Sequence, residues 1–213
     1  LGHGHLSCVG NGYCVNPHGP SVLNRNIVTF TTGLRHTCAI ADDSTAWCWG
    51  ENDFGQLGVG DNDDRNAPTQ VLLPAGTTPI SINAGGHTTC VILNNGTGLC
   101  WGKSDYGHLG DGTYNNRNEP TPISILPSSR SLVAMDLGAG HACGILDDGT
   151  AHCWGNGTYS SGESGGRLGD GSNESSRFPR TVSLPFGSTA ISIDVGVDHT
   201  CAILDDSSAV CWG

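Results

Sequence analysis

The stretch HTCAIADDSTAWCWG, residues 36–50, sets two cysteines, Cys38 and Cys48, around an Asp42-Asp43-Ser44 centre. It returns as HTTCVILNNGTGLCWG (87–102), HACGILDDGTAHCWG (141–155) and HTCAILDDSSAVCWG (199–213). Pairing Cys38 with Cys48 across an antiparallel hairpin also pairs Ala41 with Thr45 and leaves 42–44 as a three-residue loop. The same register leaves Asn94-Asn95-Gly96, Asp147-Asp148-Gly149 and Asp205-Asp206-Ser207 as loops. Such loops favour a type I turn followed by a left-handed residue, and Gly96 and Gly149 stand where that residue belongs. Ser44 and Ser207 fit it less well.

Counted on the first cysteine, the copies begin at Cys38, Cys90, Cys143 and Cys201, at steps of 52, 53 and 58 residues, a period that marks propellers and arrays. Other landmarks keep phase: Gly55-Gln56-Leu57-Gly58, Gly107-His108-Leu109-Gly110 and Gly166-Arg167-Leu168-Gly169 each follow a Trp-Gly. An Asp- or Asn-rich loop comes next, then Arg65…Pro68, Arg117…Pro120 and Arg177…Pro179. The opening LGHG matches LGVG and LGDG, so Leu1 stands level with Leu57. The units fall at approximately 1–56, 57–108, 109–167 and 168–213, with a cysteine-looped insertion at 8–14. Residues 1–213 read as one propeller segment.

Composition agrees: 33 glycines, 36% hydrophobic and 14% charged residues describe a turn-rich all-β chain. A net charge of −11, with nine Lys and Arg scattered singly, gives no basic stripe and argues against nucleic acid as a partner. No apolar run approaches the roughly 18 residues of a membrane span, and the first residues lack the pattern of a signal peptide.

These motifs together resemble the repeats of the regulator of chromosome condensation family, in a cysteine-bearing variety whose hairpins end in Cys-Trp-Gly. The resemblance covers residues 27–213. It implies an all-β propeller with blades of four antiparallel strands, about four repeats here, belonging to a ring that typically has seven blades. Four such units should not close that ring. The expectation is a window on a longer propeller or, failing that, a unit joined end to end with neighbouring chains.

The ten cysteines form five local pairs, Cys8–Cys14, Cys38–Cys48, Cys90–Cys100, Cys143–Cys153 and Cys201–Cys211. Zinc wants cysteines two to four residues apart, and free thiols would make the fixed register a coincidence. Disulfides are the reading preferred, and they imply an oxidising compartment, extracellular or at the cell surface.

His36, His87, His141 and His199 each precede a hairpin cysteine, one per blade, too far apart to share a metal; the expectation is an imidazole tying a strand to a neighbouring loop. The Asp-rich loops suit turns, with calcium as the alternative; no other cofactor is expected. Trp49, Trp101, Trp154 and Trp212 recur at one position and read as packing between blades. Trp47 replaces Leu99, His152 and Val210 and is a candidate exposed contact. Asn95, Asn156 and Asn173 head Asn-x-Ser/Thr sequons; Asn156 and Asn173 rank above Asn95, which lies in a tight turn.

No nucleophile elbow, phosphate loop or zinc-protease motif occurs, and no catalytic or metal-ligating residues are assigned. The function expected is a non-enzymatic secreted or cell-surface structural and interaction module, with a protein or glycan partner. Deviations from the repeat fall in loops, at 8–14 and 156–165, where rigid scaffolds carry function. Two alternatives come with the resemblance: a guanine-nucleotide exchange factor, set back by paired cysteines and acidic charge, and a secreted enzyme-inhibitor propeller.

Overall fold

Cys38 stands opposite Cys48, and the same pairing recurs as Cys90 with Cys100, Cys143 with Cys153 and Cys201 with Cys211, once in each of four sheets. The computed structural model describes residues 25–124, 130–158 and 166–213, and the backbone of 7–9 and 13–15. Strands β1 (Ser7–Val9) and β2 (Tyr13–Val15) pair with Cys8 opposite Cys14. The expected Cys8–Cys14 disulfide lies outside the described side chains.

Four strands form the first sheet: β3 (Ile27–Thr32), β4 (His36–Ala41), β5 (Ala46–Gly50) and β6 (Arg65–Gln70). The second holds β7 (Pro79–Gly85), β8 (Thr88–Leu93), β9 (Gly98–Gly102) and β10 (Arg117–Pro122). The third holds β11 (Leu132–Leu137), β12 (His141–Leu146), β13 (Ala151–Gly155) and β14 (Ser176–Thr181). The fourth has β15 (Ala190–Val195), β16 (Thr200–Leu204) and β17 (Ala209–Trp212). Every sheet is an antiparallel meander in chain order. The first strands β3, β7, β11 and β15 adjoin in succession, so the sheets converge on a common axis as propeller blades. The Gly-x-Leu-Gly segments fall between third and fourth strands, so each four-stranded sheet straddles a boundary between sequence units.

In all four hairpins the cysteines are joined, as Cys38–Cys48, Cys90–Cys100, Cys143–Cys153 and Cys201–Cys211, with Cα atoms 4.1 Å apart. Ala41 N donates to Thr45 O at 2.9 Å. Counting back from there places Cys38 and Cys48 at a non-hydrogen-bonded site, where strands come closest.

The turns correct one expectation: Ser44 (φ 63°) and Ser207 (φ 69°) adopt the same left-handed conformation as Gly96 (φ 78°) and Gly149 (φ 77°). Glycine at the latter two is also a packing requirement. A Cβ on Gly96 would lie 2.4 Å from Ser131 Cβ, and one on Gly149 2.4 Å from Thr189 Cβ, both in the following blade. There Leu132 N donates to Gly96 O and Ala190 N to Gly149 O. After Ser44 the equivalent residue is Pro79, which has no N–H to donate.

The core lies between sheets. Leu57, Leu109 and Leu168 are wholly buried at equivalent places in three interfaces. Phe30, paired with Ala39 as Ile82 is with Val91 and Met135 with Gly144, is 70% exposed, whereas Ile82 and Met135 are each 5% exposed. Ile203 of the last sheet is 46% exposed; its equivalents Ile40, Ile92 and Ile145 are buried. Among the described residues, the outer faces of the first and last sheets are thus uncovered halves of the interface that repeats between them.

Candidate functional site

The junction between successive blades is built on the Gly-x-Leu-Gly turn. Gly55 (φ 81°) and Gly58 (φ 68°) bend it so that the intervening carbonyl faces the next blade. Trp101 Nε1 donates to Gln56 O at 2.9 Å, Trp154 Nε1 to His108 O at 2.9 Å and Trp212 Nε1 to Arg167 O at 3.0 Å. A Cβ on Gly58 would lie 2.7 Å from Trp101 Nε1, so the second glycine makes room for the ring. Trp101, Trp154 and Trp212 join blades.

A second brace runs beside the first. Thr89 Oγ1 donates to Gln56 O at 2.8 Å and therefore accepts from His36 Nε2, also 2.8 Å away, which fixes the proton on Nε2. His141 Nε2 meets Thr200 Oγ1 at 2.9 Å at the last junction. The middle junction lacks both partners: the extra Thr of HTTC puts Thr88 opposite Gly102, where His36 stands opposite Gly50, and Ala142 takes the place of Thr89. His87 is displaced into the turn, its Nδ1 3.0 Å from Glu51 Oε2. Burial pushes His36 down to about 4, with nearby His87 adding to it. Burial does the same, to about 4, for His141, seconded by Arg167, and for His108.

On the face reached by these turns, the same backbone positions hold unlike side chains at each junction. At the first, Glu51 accepts from Arg35 Nη1 (3.2 Å) and Gln56 Nε2 (3.2 Å), and the Phe54 and His87 rings meet edge to face at 4.9 Å. At the second, Lys103 pairs with Asp105 at 3.0 Å and lies 4.9 Å over Phe54. At the third, Arg167 pairs with Asp198. Leu34 and Val197 stand exposed among them.

The aspartates of the acidic loops are used by the fold. Asp61, Asp111 and Asp170 each accept, through Oδ1, the backbone N–H two residues on: Asp63 at 3.0 Å, Thr113 at 2.8 Å and Ser172 at 2.9 Å. Their Oδ2 atoms accept from Arg65 (2.5 Å), Arg117 (2.9 Å) and Arg180 (2.8 Å). The sequence landmark misassigns the third arginine. Ser176 stands opposite Gly155, as Arg65 and Arg117 stand opposite Gly50 and Gly102, and Arg180 supplies the guanidinium from further along β14. Arg177 instead lies 5.2 Å over Tyr114 and 5.4 Å over Phe178.

Trp47 is half-buried: its Nε1 donates to Thr45 Oγ1 at 2.6 Å, and the Arg25 guanidinium lies 5.0 Å over its ring. Asn95 and Asn173 are exposed, whereas Asn156 is half-buried with its Oδ1 accepting from Thr158 N at 3.0 Å. Among the described residues no three His, Cys, Asp or Glu side chains converge on a metal position. Of the insertion at 156–165, residues 159–165 lie outside the described residues.

Residues 43–92, 95–145 and 148–203 match the regulator of chromosome condensation (RCC1) repeat. The ultraviolet-B receptor UVR8 of Arabidopsis thaliana is 28% identical over 190 residues, 89% of this chain and 42% of the receptor. Human WBSCR16 superposes with a TM-score of 0.79 at 20% identity, covering 97% of this chain and 53% of that one. Prp20p of Saccharomyces cerevisiae gives a TM-score of 0.71 at 22% identity, covering 81% of this chain and 42% of its own. The chain thus spans about half or less of the length of each.

Proposed function

The chain belongs to the regulator of chromosome condensation (RCC1) repeat family, and from that premise we propose that it is a non-enzymatic protein-interaction module working outside the cell or at its surface. The observation that carries this reading is the contrast at the blade junctions. The braces from Trp101, Trp154 and Trp212 repeat without change, while Arg35, Glu51, His87, Lys103 and Asp198 vary the charge displayed on one face. A rigid frame with variable loops is how binding scaffolds present recognition groups. The extracellular setting is supported by the disulfides Cys38–Cys48, Cys90–Cys100, Cys143–Cys153 and Cys201–Cys211, since such bonds persist in oxidising compartments. The uncovered faces around Phe30 and Ile203 suit further blades, of the same chain or of neighbours. Prp20p binds Gsp1p, a precedent for a protein partner; at 22% identity its likeness extends to fold and gives no support to exchange activity here.

The test is photo-crosslinking of the disulfide-intact chain in the fluid or extract of its source. A photoreactive residue at Leu34 or Val197 should give discrete protein adducts, and one at the outer-strand position Thr69 should not. Absence of any protein adduct at Leu34 and Val197 contradicts the reading.

A further inference from the structure

Each first strand is bulged at the same place. The pairing register slips between Ile27 and Thr29, Pro79 and Ser81, Leu132 and Ala134, and Ala190 and Ser192. The extra residue is Val28, Ile80, Val133 or Ile191, so a β-branched aliphatic fills the unpaired position in every repeat. A bulged residue leaves the ladder and its side chain is re-aimed; these four are 69%, 59%, 57% and 61% exposed. Ile80 and Val133 belong to sheets flanked on both sides, so their exposure does not come from an uncovered end.

Because the first strands adjoin, the four aliphatics form an arc, and it lies on the face opposite the variable junctions. The hairpin turns share this face: Asp42, Asn94, Asp147 and Asp205 donate their N–H groups to Asn26, Thr78, Ser131 and Thr189 at 2.9 Å, just ahead of the first strands. Phe186, on the linker leading into β15, is also exposed. The turns carry Asp42, Asp43, Asp147, Asp148, Asp205 and Asp206. Against them stand Arg25, paired with Asp43, and Arg130, paired with Asp147 and Asp148. The remaining carboxylates have no ion pair among the described residues.

An aliphatic arc within an acidic rim is complementary to a basic polypeptide carrying apolar anchors; the same face of a second copy would set its own turn aspartates against this rim and be repelled there. We propose that this face docks a basic, apolar-anchored segment of a partner protein, with Val28, Ile80, Val133 and Ile191 as the apolar contacts and the turn aspartates as the charged rim. The proposal rests on the interaction reading but concerns a different face.

The test uses the disulfide-intact full chain and a synthetic 14-residue peptide with leucines on one face and lysines on the other, with Ser-for-Leu and Glu-for-Lys counterparts. Titration followed by amide NMR should show saturable binding, with shifts at the bulges and hairpin turns. Each counterpart should bind at least tenfold more weakly. The double variant Ile80→Thr/Val133→Thr keeps the β-branch and removes the apolar contact, and it should weaken binding at least fivefold without changing the melting temperature. Asp205→Asn/Asp206→Asn should weaken it too and reduce its salt dependence. Unchanged affinity in the Thr variant overturns the proposal and leaves these residues as strand formers. Shifts mapping to 51–64 and 103–116 overturn the choice of face while the interaction reading stands. No saturable binding overturns the proposal alone, since the crosslinking test does not depend on this peptide.

Discussion

The indole N–H of Trp101 and the hydroxyl of Thr89 converge on one carbonyl oxygen, that of Gln56 in the preceding blade, at 2.9 and 2.8 Å. The oxygen is buried, and losing the Thr89 hydroxyl removes one of its two donors and leaves the buried His36 Nε2 unpaired. Thr89→Val keeps the shape but strips both Gln56 O and His36 Nε2 of a partner, and should cost about 2 kcal/mol in denaturant unfolding. Gly58→Ala should cost at least as much, since the new Cβ meets Trp101 Nε1 at 2.7 Å with φ at 68°.

The hairpin turns should respond in opposite directions. Ser44→Gly and Ser207→Gly relieve a left-handed serine and should stabilise by roughly 0.5–1 kcal/mol. Gly149→Ser should destabilise by more, because its Cβ would lie 2.4 Å from Thr189 Cβ. Thermal melts of the three variants check both signs.

Acid should weaken the fold before carboxylates protonate. His36, His108 and His141 bind protons in the unfolded chain near 6.5 but in the folded chain only near 4. The unfolded state therefore holds more protons between those values. Stability from these groups is full above about pH 6.5 and is lost as pH falls to about 4, by at most about 3 kcal/mol for each. Asp136 works the other way: burial raises it, so protonation of the folded state relieves a penalty. Unfolding free energy measured from pH 7 to 4 should fall, and His36→Gln should flatten the slope.

How far the sequence spoke depends on what a one-dimensional pattern can hold. Hairpin register was legible because Cys38 and Cys48 fix it at both ends, and the blade count followed from period. The His–Thr brace was half legible. His36 was marked, but its partner Thr89 lies one repeat on, and only the shared loss at Thr88 and Ala142 shows that the two belong together. Arg177 was aligned with Arg65 and Arg117 because an arginine near a proline looks alike whichever strand position it holds, whereas Ser176 holds that register and Arg180 supplies the guanidinium. The bulges at Val28, Ile80, Val133 and Ile191 left no mark, since one extra residue in a short strand reads as ordinary alternation.

Oxidising expression offers a separate check on the cysteine pairing. Unreduced peptide maps should contain the four hairpin pairs and Cys8–Cys14, each hairpin bond contributing up to about 3 kcal/mol. In a eukaryotic secretory host, glycosidase-sensitive mass should appear at the exposed Asn95 and Asn173 before the half-buried Asn156. Free thiols in the protein so expressed, or pairs between blades, would contradict the assignment.

The claim that the junction face, and not the scaffold beneath it, carries recognition is tested most directly by the affinity of the Arg35→Glu/Lys103→Glu variant for the protein crosslinked at Leu34 or Val197. The predicted result is at least a tenfold loss with an unchanged melting temperature and intact disulfides. Unchanged affinity, or a loss that appears only as the fold melts, would contradict it.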